Sequence, residues 1–180
     1  MAGSCNVRVG DTLWVIGCAI WLLAIVVYDL RWRRVPNPLV LVALACQSFW
    51  LLTVQFSAWE PSIWGAVTWT NALAGFALGA AFVVFWRWRL LGAGDVKFLA
   101  ALGFVMGIVA MPDILMWSAI PSFIHAITQF WGKRRDVILS RARVRRGIPY
   151  GAYLAIAGLS VGLMRWNSHS CLSFFSLCST

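Results

Sequence analysis

The chain has 180 residues, of which 61% are hydrophobic and 12% charged, and its formal net charge is +9. An ordinary soluble domain is about a quarter charged, so this composition excludes one, and the length suits a single domain. The charge does not mark a nucleic-acid surface either, because it is confined to short segments between long apolar runs.

Those uncharged runs are Thr12–Tyr28, Val35–Trp59, Pro61–Trp86, Phe98–Pro112, Ile114–Gly132 and Gly147–Met164. A helix needs roughly 20 apolar residues to cross a bilayer. A soluble core can hide one such helix but not six. The reading is an all-α integral membrane protein, a bundle of about six transmembrane helices forming one domain over residues 1–180. The spans are expected at about 12–28, 37–55, 67–86, 98–111, 113–131 and 148–165.

In chain order, Val15-Ile16-Gly17-Cys18 faintly resembles a lipoprotein cleavage box, but the apolar run before it is too short for a signal peptide. The first span is therefore read as retained. Asp29 closes it, and Arg31, Arg33 and Arg34 lead to Val35-Pro36-Asn37, which opens the second. The third span carries Asn71 and the pair Gly75 and Gly79, whose spacing lets helix backbones approach closely. Arg87 and Arg89 precede Gly92-Ala93-Gly94-Asp95-Val96-Lys97 at the mouth of the fourth span. That span is the shortest and holds a second small-residue pair, Gly103 and Gly107. Pro112-Asp113 reads as a turn with Asp113 capping the fifth span, which contains Pro121 and His125. Asn71 and His125 are expected to bond neighbouring helices rather than a ligand. Seven cations between Lys133 and Arg146 precede the sixth span, and the tail 167–180 is given no structure.

Thirteen of the fifteen Lys and Arg fall in the three segments joining spans one to two, three to four and five to six. With six spans, all three lie on one side, which the positive-inside rule makes cytoplasmic. Both termini then face outward. Most of the twelve Trp sit near span ends, as membrane-interface anchors do. The five Cys lack metal-ligand spacing. Neither a metal nor a cofactor is called for, and the expected partners are membrane lipid and a protein substrate, with no nucleic acid.

Six acidic residues are present: Asp11, Asp29, Glu60, Asp95, Asp113 and Asp136. Asp29 and Asp95 stand apart, because each lies at the same membrane edge on a different helix. Carboxylates near a bilayer are costly and tend to be kept for function. Two brought together titrate as a pair holding one proton, which supplies both a base for water and an acid for the leaving group. Gly92 and Gly94 fit that use by allowing another chain close approach, and Gly94 is expected to be the more sensitive of the two. In the bland alternative, Asp95 merely N-caps its helix and Asp29 pairs with a neighbouring Arg. Position alone leaves both open.

Three motifs decide further. Asp29-Leu30-Arg31-Trp32-Arg33-Arg34-Val35-Pro36-Asn37, Gly92-Ala93-Gly94-Asp95-Val96-Lys97 and Gly147-Ile148-Pro149-Tyr150-Gly151 resemble, in order, three signatures of the type IV prepilin peptidases. The resemblance implies an aspartic endopeptidase with Asp29 and Asp95 as the catalytic pair. It implies that Gly92, Gly94, Lys97, Pro36, Asn37, Pro149 and Tyr150 support the site, and that a prepilin or pseudopilin leader is cut at the cytoplasmic face of a bacterial inner membrane. In size the chain is similar to the short peptidases of Flp (tight-adherence) pilus systems. It has no paired Cys-x-x-Cys segment, so methyl transfer is not carried over. Tyr28-Asp29 with Gly92–Asp95 also resembles the presenilin and signal-peptide-peptidase group, from which Pro36-Asn37, Lys97 and Pro149-Tyr150-Gly151 depart. From a different class, a small transporter would use the same aspartates as a relay, but it should show internal repeats, and none is evident.

Overall fold

The computed structural model describes residues 9–56, 68–88, 91–138 and 150–177, with side chains described from 12 onward except at 132–138 and 166–177. Residues 57–67, residues 139–148 of the basic segment, and Pro149 lie outside the described residues. Among the described residues the regular structure is entirely helical.

Helix α1 (Val9–Trp32) is apolar, free of Pro and uncharged from Thr12 to Tyr28. It ends where Arg33 turns to positive φ (54°) and donates its backbone N–H to the Asp29 carbonyl at 2.9 Å. Pro36 stops the chain from continuing, and Pro38 is tolerated in the first turn of α2 (Asn37–Phe56), where an N–H would have no partner. Helix α3 (Trp69–Ala81) starts at Thr68, whose hydroxyl accepts the Asn71 N–H at 3.4 Å. A turn at Phe82 separates it from α4 (Val83–Arg87). By length and composition, Thr12–Trp32, Asn37–Phe56 and Trp69–Arg87 can each cross a membrane. Their outward side chains are apolar: Leu13, Ile16, Ile20, Leu23, Val27 and Leu30 of α1 are all exposed. Lipid suits that surface and water does not.

The short fourth segment is the centre of the bundle. Helix α5 (Ala93–Met106) is buried at Val96 and at every position from Phe98 to Met106. Fourteen residues rise about 21 Å, less than the ~30 Å of hydrocarbon; α5 is enclosed by α2, α3, α4 and α7 instead of lipid. It starts five residues before the expected 98, so Asp95 belongs to its first turn and not to a preceding loop. It stops at Gly107, whose φ of 76° lets its N–H return to the Gly103 carbonyl at 2.9 Å. Gly107 is thus a helix terminator as well as a small packing residue.

Helix α3 lies on α5 with backbone nearly touching backbone. A Cβ added at Gly75 would strike the Gly103 carbonyl, one at Gly103 the Gly75 carbonyl, and one at Gly79 the Leu99 carbonyl. The Asn71 carbonyl also accepts the Ile108 N–H at 3.2 Å.

Helix α6 (Met111–Ile138) runs through Pro121 without interruption. Helix α7 (Tyr150–Leu177) continues into the tail to which the sequence reading assigns no structure. The two are joined by His125 bonding the Tyr153 hydroxyl, and by Asp113 pairing with Arg165 at 3.2 Å. Asp113 is thus in the first turn of α6 as half of a surface ion pair.

Candidate active site

Asp29 is 4% exposed, a charged residue among apolar side chains. Its Oδ2 accepts the Ala152 N–H at 2.7 Å, a buried bond spanning α1 and the first turn of α7. The first amides of a helix have no partner inside it and carry partial positive charge. Starting α7 beside Asp29 therefore satisfies amide and carboxylate together.

Asp95 is half-buried in the first turn of α5. The N-cap of this helix is Gly92, in extended conformation with φ −73° and ψ 146°, and not Asp95. Asp95 stands three residues on, at the capping-box position, with its Oδ2 3.0 Å from where a Cβ on Gly92 would sit. The Gly151 N–H lies close to both carboxylates. The Tyr150 phenol lies near Asp95 and Ser118. The two aspartates thus converge at one end of the bundle on the start of α7.

The other expected residues frame this site unequally. Lys97 donates to the Asn37 side chain at 3.4 Å, tying the start of α5 to the start of α2. Pro36 shapes the α1–α2 link, and Val35 in that link is the nearest neighbour of a Cβ added at Gly94, at 3.8 Å. That is ordinary contact, so Gly94 is less constrained than the sequence suggested. Gly92 is tighter, since its added Cβ would sit 3.0 Å from Asp95 Oδ2.

Two residues at the site escaped sequence reasoning, and a third was not singled out from its neighbours. Gly151 stood in a quoted motif without a role, yet a Cβ there would lie 3.2 Å from Asp29 Oδ2 and 3.3 Å from its Cγ. Ala152 acts through its backbone, which leaves no trace in residue type. Arg33 is one of the neighbouring Arg offered by sequence as a partner for Asp29; its backbone N–H bonds the Asp29 carbonyl, no ion pair joins the two side chains among the described residues, and its charge acts on the carboxylate at longer range. Its positive φ is the signal that matters, and no sequence pattern announces it. Among the described residues no cluster of His, Cys, Asp or Glu has the makings of a metal site.

Residues 16–127 match the model of the type IV leader peptidase family. The chain belongs to that family. The matched region of this leader peptidase homologue contains both aspartates, while the α7 turn that meets them lies beyond it. It is similar to the prepilin leader peptidase/N-methyltransferase of Pectobacterium carotovorum subsp. carotovorum, with 26% identity over 162 residues, 82% of this chain and 52% of that protein. The protein of that name from Aeromonas salmonicida (strain A449) is 33% identical over 116 residues, 54% of this chain and 37% of its own length. The one from Burkholderia pseudomallei (strain 1026b) is 27% identical over 158 residues, 83% of this chain and 45% of its own. The chain thus spans about half or less of the length of these relatives. No solved structure matches it.

Proposed function

We propose that this leader peptidase homologue is a membrane aspartic endopeptidase that removes the leader of a prepilin or pseudopilin at the cytoplasmic face of the bacterial inner membrane. The observation that carries this reading is the convergence of Asp29 and Asp95, from separate helices, on the Gly151 amide. Two carboxylates so placed favour holding one proton between them. The ionised one takes a proton from water as its oxygen bonds to the scissile carbonyl carbon. The protonated one gives its proton to the carbonyl oxygen. The resulting tetrahedral diol collapses with a proton passing to the leaving nitrogen as the C–N bond breaks. No covalent enzyme intermediate is needed.

The surroundings support the reading. Exposed Gly92 and Ala93 leave room beside Asp95 for an extended substrate backbone. The basic residues Arg31, Arg33, Arg34 and Lys97 lie at this same end of the bundle, which the positive-inside rule assigns to the cytoplasm. Methyl transfer, named for the relatives, has no residues assigned to it here.

The test is coexpression of the chain with a candidate prepilin, followed by intact-mass measurement. Loss of the leader mass in cells carrying the unaltered chain supports the proposal. An unprocessed pilin across all candidates encoded nearby overturns it.

A further inference from the structure

The pair is not symmetric, and the asymmetry assigns its roles. Asp29 accepts the Ala152 N–H at 2.7 Å, whereas the Gly151 N–H acts on both carboxylates. Arg33 stands on its own turn, and the Arg33 backbone is anchored to the Asp29 carbonyl at 2.9 Å. Arg33 is the sole non-glycine at positive φ among the described residues. For a residue with a Cβ that conformation costs roughly 1–2 kcal/mol, and strain of this kind collects at functional sites.

The guanidinium itself is unusual. Its Nε and Nη1 have no contact with solvent and no hydrogen-bond partner. Such donors are costly to bury unless a nearby charge compensates, and Asp29 is the carboxylate on which Arg33 acts. Being closed off, these nitrogens are not placed to hold substrate.

The groups facing Asp29 can be taken element by element. Helix α1 and its end give Arg33, α5 gives Asp95, and α7 gives the Gly151 and Ala152 amides, with Tyr150 nearer Asp95. Lys97 is engaged with Asn37 of α2. Near Tyr150, α6 presents Ser118, which does not titrate in the working range. Among the described residues, the groups acting on Asp95 are the Gly92 and Gly151 amides and Asp29 itself, with no cation among them.

We infer that Arg33 is a positioning residue which, together with the first amides of α7, makes Asp29 the water-activating base and leaves the catalytic proton on Asp95. The inference rests on the proteolytic reading above. In the cycle, Asp29 takes the water proton and later passes it to the leaving nitrogen. Asp95 gives its proton to the carbonyl oxygen and recovers one as the diol collapses to the acid, so both return to their starting states.

The test is the pH profile of kcat/KM for the purified full chain, cleaving a synthetic prepilin peptide that includes the apolar segment. The acid limb reports the first proton lost from the pair. Arg33→Gln should move it to higher pH by about one unit, the usual effect of an adjacent opposite charge, with a smaller movement of the alkaline limb. Arg33→Lys, which restores the charge, should return the limb toward its original position. Ala152→Pro removes the N–H donated to Asp29 without touching Arg33 and should move the limb in the same direction. An acid limb unmoved in Arg33→Gln and Ala152→Pro proteins that still cleave would overturn the assignment, as would a larger movement of the alkaline limb. Absence of cleavage by the unaltered chain would instead defeat the peptidase reading itself.

Discussion

Replacing Gly151 by Ala separates catalysis from folding. The new methyl would lie 3.2 Å from Asp29 Oδ2, 3.3 Å from its Cγ and 3.4 Å from Val35 Cγ2. Carbon contacts settle at about 3.5–4.0 Å, so the carboxylate must retreat by a few tenths of an ångström. Asp29 is 4% exposed and tied to Ala152 by a 2.7 Å bond, so retreat stretches that bond. A hydrogen bond to a charged group contributes about 1.5–3 kcal/mol, and losing half of it costs roughly 1 kcal/mol. Misalignment with Asp95 adds to this, for a total near 1.4 kcal/mol, or about tenfold in rate. Stability barely moves, because the preference of a helix for Ala over Gly, up to about 1 kcal/mol, offsets the weakened hydrogen bond. The expected result is cleavage per inserted molecule reduced about tenfold or more, with the amount of inserted protein unchanged. Undiminished specific activity would refute the placement of Gly151 against the dyad.

Gly92→Ala, whose Cβ would meet Asp95 Oδ2 at 3.0 Å, should lower the cleavage rate several-fold, and Gly94→Ala should lower it less; a rate assay on matched amounts of inserted protein ranks them. Gly75→Ala and Gly103→Ala should do the opposite, since each methyl meets a backbone carbonyl that cannot step aside. Overpacking costs about 1–3 kcal/mol, so the yield of folded protein in detergent should fall while activity per folded molecule is kept. Asp113→Asn breaks an exposed ion pair worth at most about 1 kcal/mol; thermal unfolding should shift little and cleavage should persist.

Helical class and family were legible because both leave patterns in residue type. Runs of apolar residues mark helices, and the three motifs mark the family. The Gly75 and Gly79 spacing also led directly to the close contact of α3 with α5. What stayed hidden depends on backbone geometry. Gly92 rather than Asp95 is the N-cap of α5, because Gly-x-x-Asp can open a helix at either residue and only the backbone geometry decides which. Asp29 is held by the Ala152 N–H, and every residue but Pro has one to give. The continuation of α7 to Leu177 runs through polar, Ser-rich sequence that carries no apolar periodicity. Arg33 owes its distinction to a φ of 54°, which residue type alone does not announce.

The most direct measurement is the rate of leader cleavage by Asp29→Asn, Asp95→Asn and the double mutant, each normalised to inserted protein. A pair acting as one acid–base unit loses its chemistry with either member. Each single change should therefore cost at least ~100-fold, and the double mutant should be little worse than the singles, as for groups that work together. Near-normal cleavage by either single mutant would contradict the central claim that Asp29 and Asp95 cut the peptide together.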